Sequence, residues 1–132
     1  MLLTGMHPRT LDAKKRLALP RRVRDQLGEV SQLFLTPGPE PCLWIWTRAE
    51  LERLSERLDQ TPATDAEART FRRLFYAQME GVDLDRSGRI LIPDRLLQFA
   101  GIQHEAVLLG VRDHLELWDA HRWEEFLSQH RT

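Results

Sequence analysis

Residues 11–20 read Leu-Asp-Ala-Lys-Lys-Arg-Leu-Ala-Leu-Pro, and residues 84–93 read Leu-Asp-Arg-Ser-Gly-Arg-Ile-Leu-Ile-Pro. The Asp, the Arg and the Pro of the first stretch each recur 73 positions later. A single Asp-x-x-x-Arg match would carry little information. Two copies in register, each followed by an apolar run and a Pro, indicate an internally duplicated fold. Chance similarity between short strand patterns is the alternative explanation.

The similarity continues beyond this motif, because Leu27-Gly28 recurs as Ala100-Gly101. The sequence therefore predicts a first unit over residues 5–57, a helical insert over 58–78 and a second unit over 79–130. Two copies are too few for a solenoid, which needs about three repeats to bury a continuous core. A chain of 132 residues suits one compact domain, or two small halves that share a core.

Each unit reads as strand, strand, helix, strand, strand, helix. In the first unit, 6–11 and 16–19 are predicted strands joined in a hairpin by a turn at 12–15. The second unit repeats this hairpin, and Gly88 suits a turn position with positive φ. Pro20 ends its strand and opens a short helix, where a missing N–H group costs little.

The insert carries its own helix start signal, Thr64-Asp65-Ala66-Glu67. The helix that follows places Phe71, Leu74 and Phe75 on one face at helical spacing. An apolar face of this kind packs either against the core of its own chain or against another subunit, and the sequence leaves both open.

Charge is distributed unevenly along the chain, although the formal net charge is only −1. Residues 9–24 contain seven basic side chains and one acid, whereas residues 82–97 contain three of each sign. Residues 105–125 contain six acids and two basic side chains. The two copies therefore share a backbone plan but differ in electrostatic role, and the first copy is the one suited to an anionic partner.

An enzyme is a competing class. Asp83 and Asp85 would point to the same face of a strand and are the nearest approach to a carboxylate pair for a divalent metal. The sequence implies no third ligand, no close pair of histidines, no Gly-rich phosphate loop and no nucleophile motif. The single cysteine, Cys42, fits a small core residue. We therefore expect no catalysis, no metal and no cofactor.

Several of these motifs together resemble one protein family. The tandem Asp-x-x-x-Arg units occur with a Cys42-Leu43-Trp44-Ile45-Trp46 strand before the first long helix. Glu116-Leu117-Trp118-Asp119 ends the second unit. This combination is similar to the MraZ family over essentially the whole chain. MraZ proteins carry two domains of the SpoVT-AbrB type, the swapped-hairpin fold of bacterial transition-state regulators and many antitoxins.

The resemblance implies both a fold and a function. The implied fold is α+β, with two tandem swapped-hairpin AbrB-like units forming a pseudo-dimeric β-barrel flanked by helices. The implied function is sequence-specific transcriptional regulation of the division and cell-wall gene cluster, including the protein's own promoter. MraZ proteins bind short direct repeats in double-stranded DNA and assemble into ring-shaped homo-oligomers.

The composition of the chain and the resemblance together set the expected location and partners. No stretch approaches the roughly 18 apolar residues of a membrane helix, and the N-terminus lacks the apolar segment of a signal peptide. We therefore expect a soluble, cytoplasmic, nucleoid-associated protein with no membrane partner and no small-molecule substrate.

The resemblance and the charge pattern together select the DNA-binding candidates. Specific binding needs cations for phosphates and side chains that read base edges, and the rigid fork of Arg serves both purposes. The candidates are Arg9, Lys14, Lys15, Arg16, Arg22 and Arg24. Arg9 and Arg24 fall where AbrB-type units also place DNA-contacting arginines, and the second unit has Val82 and Leu97 there. We therefore expect the first unit to provide most of the binding.

The motif residues have a structural interpretation as well. Asp12 with Arg16, and Asp85 with Arg89, can pair across a tight turn and fix its geometry. We assign Asp12, Asp85 and Arg89 to this structural role and leave Arg16 open to both. Lys15 stands where the family's first motif has Gly. A non-Gly residue in a left-handed turn costs on the order of 1 kcal/mol, so either the turn shifts or the strain is tolerated.

A non-catalytic interaction scaffold without specific DNA binding is the alternative function. The basic first unit of one subunit would then meet the acidic second unit of the next. Head-to-tail contacts of this kind close into rings.

Overall fold

The computed structural model describes residues 1–131, which form eight strands and five helices. In chain order these are β1 (Met6–Thr10), β2 (Arg16–Ala18), α1 (Arg21–Leu27), β3 (Gln32–Pro37), β4 (Leu43–Trp46), α2 (Arg48–Leu58), α3 (Ala66–Ala77), β5 (Glu80–Asp83), β6 (Arg89–Leu91), α4 (Asp94–Ala100), β7 (Glu105–Gly110), β8 (Leu115–Asp119) and α5 (Ala120–His130). The α+β class is as predicted.

Helices α1–α4 each begin directly after a proline or a polar capping residue. Pro20 and Pro93 are the N-cap residues of α1 and α4. The Thr47 hydroxyl caps α2 by accepting a hydrogen bond from the backbone N–H of Glu50 at 3.3 Å. Within the insert, the cap of α3 is Asp65, whose carboxylate accepts from two backbone N–H groups of the first turn. These side chains satisfy donors that a helix start leaves unpaired.

The main sheet interleaves strands from the two units. It is antiparallel, with six strands in the order β1-β7-β8-β4-β3-β5. β1 of the first unit pairs with β7 of the second, where Thr10 lies opposite Glu105. β5 of the second unit pairs with β3 of the first, where Gln32 lies opposite Asp83. Each unit thus contributes one outer strand to the strands of the other.

β2 and β6 form a separate two-stranded sheet, which we call the ribbon. Leu17 lies opposite Ile90 at its centre. We predicted that the strands on either side of each turn would pair as a hairpin, and this is wrong. The turns join them as expected, but β2 pairs with β6 of the other unit, while β1 and β5 join the main sheet. Pairing between units replaces pairing within a unit.

The main sheet is not closed into a barrel, so that part of the predicted fold is not confirmed. Its outer strands are β1 and β5, and residues 1–131 contain no ladder between them. The physical reason lies in the chain path, because each outer strand turns directly into a strand of the ribbon. β2 and β6 then pair with each other instead of extending the main sheet.

One hydrophobic core serves both units. It includes Leu17 and Leu35 from the first unit and Ile90 and Leu108 from the second, and all four are fully buried. A core shared by both units is one of the two arrangements that the length of the chain allowed. Neither half retains the complete core without the other. Burial of apolar surface is the main stabilising contribution to such a fold.

The insert helix packs only part of its apolar face. Phe75 is buried, whereas Phe71 and Leu74 are 47% and 58% exposed. The backbone carbonyl of Phe75 accepts a hydrogen bond from the Thr36 hydroxyl at 3.4 Å. The core interpretation therefore holds for Phe75, and the other two side chains remain available to a partner.

A buried polar cluster lies over the β4–β8 ladder, where strands of the two units meet. The His114 ring lies 4.6 Å from the Trp44 ring and 4.8 Å from the Trp46 ring, measured between centroids. Its ring nitrogens are 2.8 Å from Asp113 and 2.9 Å from Glu116. Burial disfavours the charged imidazolium, but the two carboxylates outweigh it and raise the pKa of His114.

Candidate nucleic-acid interface

The first turn, Asp12–Lys15, is held together by one carboxylate. Oδ1 of Asp12 accepts hydrogen bonds from the backbone N–H groups of Lys14 and Arg16, both at 2.9 Å. Oδ2 accepts from Nε of Arg16 at 2.7 Å. The backbone donor of Arg16 is the main reason that the pKa of Asp12 lies below its usual value. The Asp therefore stays ionised and fixes both the turn and the start of β2.

The second turn, Asp85–Gly88, repeats this geometry. Oδ1 of Asp85 accepts from the N–H groups of Ser87 at 2.8 Å and Arg89 at 3.0 Å. Oδ2 accepts from Nε of Arg89 at 3.0 Å. The pKa of Asp85 is again lowered, first by the backbone N–H of Arg89. Equivalent hydrogen bonds in both copies support a structural role for the two aspartates.

The missing turn glycine of the first copy does not change the turn. Lys15 has φ +64° and its equivalent Gly88 has φ +76°. Both residues thus adopt the left-handed conformation that favours glycine. Of the two outcomes left open by the sequence, the strain is tolerated and the turn keeps its shape.

The two motif arginines lie on the same face of the ribbon. Leu17 and Ile90 face the core, so the alternate residues face outward. Arg16 and Arg89 therefore both belong to this outer face, and their side chains are 29% and 33% exposed. Nη1 of Arg89 also comes within 4.0 Å of Oδ2 of Asp12. The ribbon thus presents one guanidinium from each unit to solvent.

The other candidates fall into three places. Lys14 is exposed on the first turn, beside Lys15. Arg22 and Arg24 are exposed on α1. Arg9 is half-buried on β1, and its Nε is buried without a hydrogen-bond partner in the described part of the chain. Lys14, Lys15 and Arg16 follow one another along the first turn and into β2.

Sequence reasoning missed one exposed cation of this surface. Arg86 belongs to the second turn, directly after Asp85, and is exposed. Its equivalent in the first copy is Ala13, so alignment of the two copies gives no signal for it. The signal available in the sequence was the position of Arg86 in the second turn, three residues before the motif Arg89.

Comparison with known proteins identifies the family. The profile described as "MraZ protein, putative antitoxin-like" matches residues 2–74 and again residues 75–132. The chain belongs to the MraZ family. It is 38% identical over 125 residues to the transcriptional regulator MraZ of Symbiobacterium thermophilum, covering 95% of this chain and 89% of that protein. It is 37% identical over 128 residues to the transcriptional regulator MraZ of Kineococcus radiotolerans, covering 97% and 88%. A third relative, from Clostridium tetani, carries the same name at 34% identity over 95% of this chain and 87% of its own length.

Membership of the MraZ family makes the protein a transcriptional regulator, and the prediction that it is not an enzyme is confirmed by these relatives. The double match of the MraZ profile agrees with the internal duplication. In the part of the chain that the structure covers, no helix is long and apolar enough to cross a membrane.

Proposed function

We propose that the protein regulates transcription by binding DNA directly and sequence-specifically through the ribbon and its two turns. The observation that carries this proposal is the shared outer face of the ribbon, on which Arg16 and Arg89 both lie and are 29% and 33% exposed. The major groove of B-DNA admits a two-stranded ribbon, and arginine reads guanine through two hydrogen bonds. The family of named transcriptional regulators supports DNA as the partner.

The roles of the candidate residues follow from their positions. Arg16 is held by Asp12 through Nε, which leaves its terminal nitrogens to an acceptor outside the residues described here. We assign base reading to Arg16 and phosphate contacts to the remaining cations, which are Arg9, Lys14, Lys15, Arg22 and Arg24. Asp12, Asp85 and Arg89 act by shaping the turns.

The biological target is the division and cell-wall gene cluster, including the protein's own promoter, where the protein binds short direct repeats. The repeats are read by a homo-oligomeric ring of subunits, each formed by the units at 5–57 and 79–130 with the insert at 58–78. The protein acts in the cytoplasm, in association with the nucleoid. An exposed apolar groove supports contact between subunits, because Phe71, Leu74 and Phe99 line it and are each more than 40% exposed.

Footprinting on the region upstream of the protein's own gene tests this function. We expect protection of evenly spaced short repeats, with an affinity that falls steeply as salt is added. A shuffled duplex of the same composition is the control. Equal protection of both duplexes would refute sequence specificity, and no protection at low salt would refute DNA binding.

A pair of variants separates DNA regulation from the scaffold alternative. Arg16→Ala should weaken DNA binding while the oligomer size measured by light scattering stays constant. Arg57→Ala on the exposed face of α2 is the matched control and should change neither. If Arg16→Ala dissociates the oligomer and wild-type protein does not discriminate between the two duplexes, the basic face is a subunit contact and the scaffold function is favoured.

A further inference from the structure

The ribbon has two ends, and each end combines residues from both units. At one end, the backbone N–H of Ile92 donates to the carbonyl of Lys15 at 3.0 Å. At the other, the N–H of Leu19 donates to the carbonyl of Gly88 at 2.9 Å. Helix α4 therefore starts beside the first turn, and α1 starts beside the second. The basic helix of the first unit accompanies the turn of the second.

Arg24 of α1 lies against the second turn. A Cβ atom built on Gly88 would lie 2.8 Å from Cζ, Nε and Nη1 of Arg24. The guanidinium thus covers the second turn at the one position without a side chain, and Gly88 is buried although it belongs to a surface turn. Arg24 belongs to the first unit by sequence and to the second turn by position.

The other end reverses this arrangement. The equivalent of Gly88 in the first copy is Lys15, and the equivalent of Arg24 in the second copy is Leu97, each 73 positions away. Leu97 is only 3% exposed and carries no charge. One end of the ribbon therefore takes its cation from the turn, and the other takes it from the helix. Each end carries a positive group at this place, supplied by a different element.

On the basis of the proposed function, we propose that the DNA surface consists of two half-sites of unlike construction, one at each end of the ribbon. The first half-site contains Lys14, Lys15 and Arg16. The second half-site contains Arg24, Arg86 and Arg89. The second unit is thereby a DNA-binding element in its own right, contrary to the expectation that the first unit provides most of the contacts. Arg89 contacts DNA in addition to shaping its turn.

Because the two ends of the ribbon differ, the two orientations of a single subunit on a DNA site are not equivalent. A surface with two identical halves fits an inverted repeat, because its own symmetry must match that of the site. A surface whose halves differ fits a site without internal symmetry, and several subunits in the same orientation then require direct repeats. The half-sites therefore account for direct repeats from the structure of one chain.

Charge relocation tests the second half-site. Arg24→Leu should lower the slope of log K against log salt by about 0.9, the value for one phosphate contact. Adding Gly88→Lys to Arg24→Leu rebuilds the second end in the form of the first, because Lys15 already adopts the required left-handed conformation. We expect the double variant to recover the wild-type slope. Arg57→Leu is the matched control.

Hydroxyl-radical footprinting supplies an independent readout that does not depend on a substituted Gly88. On a duplex from the region upstream of the gene, Arg24→Ala and Arg86→Ala should lose protection at the same end of each repeat. Lys14→Ala should lose it at the opposite end. The half-site proposal is overturned if Arg24→Ala and Lys14→Ala lose the same end, or if Arg86→Ala retains full protection. Absence of protection by the wild type would instead refute the proposed function.

Discussion

Replacing Leu17 by Ala tests whether the two units form one cooperative structure. Leu17 is fully buried on β2, and its cross-strand neighbour on β6 of the other unit is the equally buried Ile90. Truncation of Leu17 therefore removes contacts between the units. If the units share one core, the whole chain must lose stability from a substitution in the first copy alone.

The expected loss is about 3 kcal/mol. Burial of a leucine side chain contributes about 1.5–3 kcal/mol relative to exposure. The cavity left by truncation raises the cost of Leu→Ala in a core to about 2–5 kcal/mol. Leu91→Ala is the matched control on the same ribbon, because Leu91 is 57% exposed. Exposed substitutions of this kind change stability by no more than about 0.5 kcal/mol.

Urea denaturation followed by tryptophan fluorescence and far-UV circular dichroism measures both losses. The fluorescence reports on both units, because Trp44 and Trp46 lie in β4 and Trp118 lies in β8. We expect one coincident transition in wild type and in Leu17→Ala, with a lower midpoint and an unchanged m-value in the variant. Two transitions, of which only one shifts, would refute the shared core. Equal losses for Leu17→Ala and Leu91→Ala would refute the assigned faces of the ribbon.

Three further perturbations have defined outcomes. The raised pKa of His114 predicts stabilisation that is complete below the unfolded value of about 6.5 and is lost as pH rises through the folded pKa. Urea midpoints against pH should show this decline, and His114→Gln should remove it. Lys15→Gly relieves about 1 kcal/mol of left-handed strain, offset in part by the greater unfolded-state entropy of Gly. The urea midpoint should therefore not fall, while DNA affinity and its salt slope do. Thr47→Ala removes the cap of α2 and should cost about 1 kcal/mol, measured as a lower urea midpoint.

The local features of the fold were predictable because each depends on nearby residues. The starts of α1 and α4 follow from Pro20 and Pro93, whose fixed φ and missing N–H suit a helix start. The turn at Asp85 follows from a side chain that hydrogen-bonds the backbone two residues ahead. The left-handed conformation of Lys15 was one of the two outcomes that its alignment with Gly88 left open, and the structure has it.

The partners of the strands were not predictable in the same way. The inward position of Leu17 is satisfied equally by pairing with β1 or with β6, because the two-residue periodicity fixes the face of a strand but not its neighbour. The same limit hid the position of Arg24 against Gly88, since it depends on which unit supplies the adjacent turn. The exposure of Phe71 and Leu74 likewise depends on the space that the other helices leave.

Duplication within one chain explains why the two ends of the ribbon were free to diverge. In a dimer of single units, a substitution at a turn appears at both ends, so a lysine at the turn would meet an arginine of the adjoining helix at each of them. In the fused chain, Gly88 lies against Arg24, and their equivalents in the other copy are Lys15 and the uncharged Leu97, so the turn position and the helix position are not both cationic at either end. Like charges in close contact destabilise a folded protein unless an anion lies between them. Each end thus keeps one positive group for DNA at this pair of positions, and repulsion between the turn residue and the helix residue is avoided in the free protein.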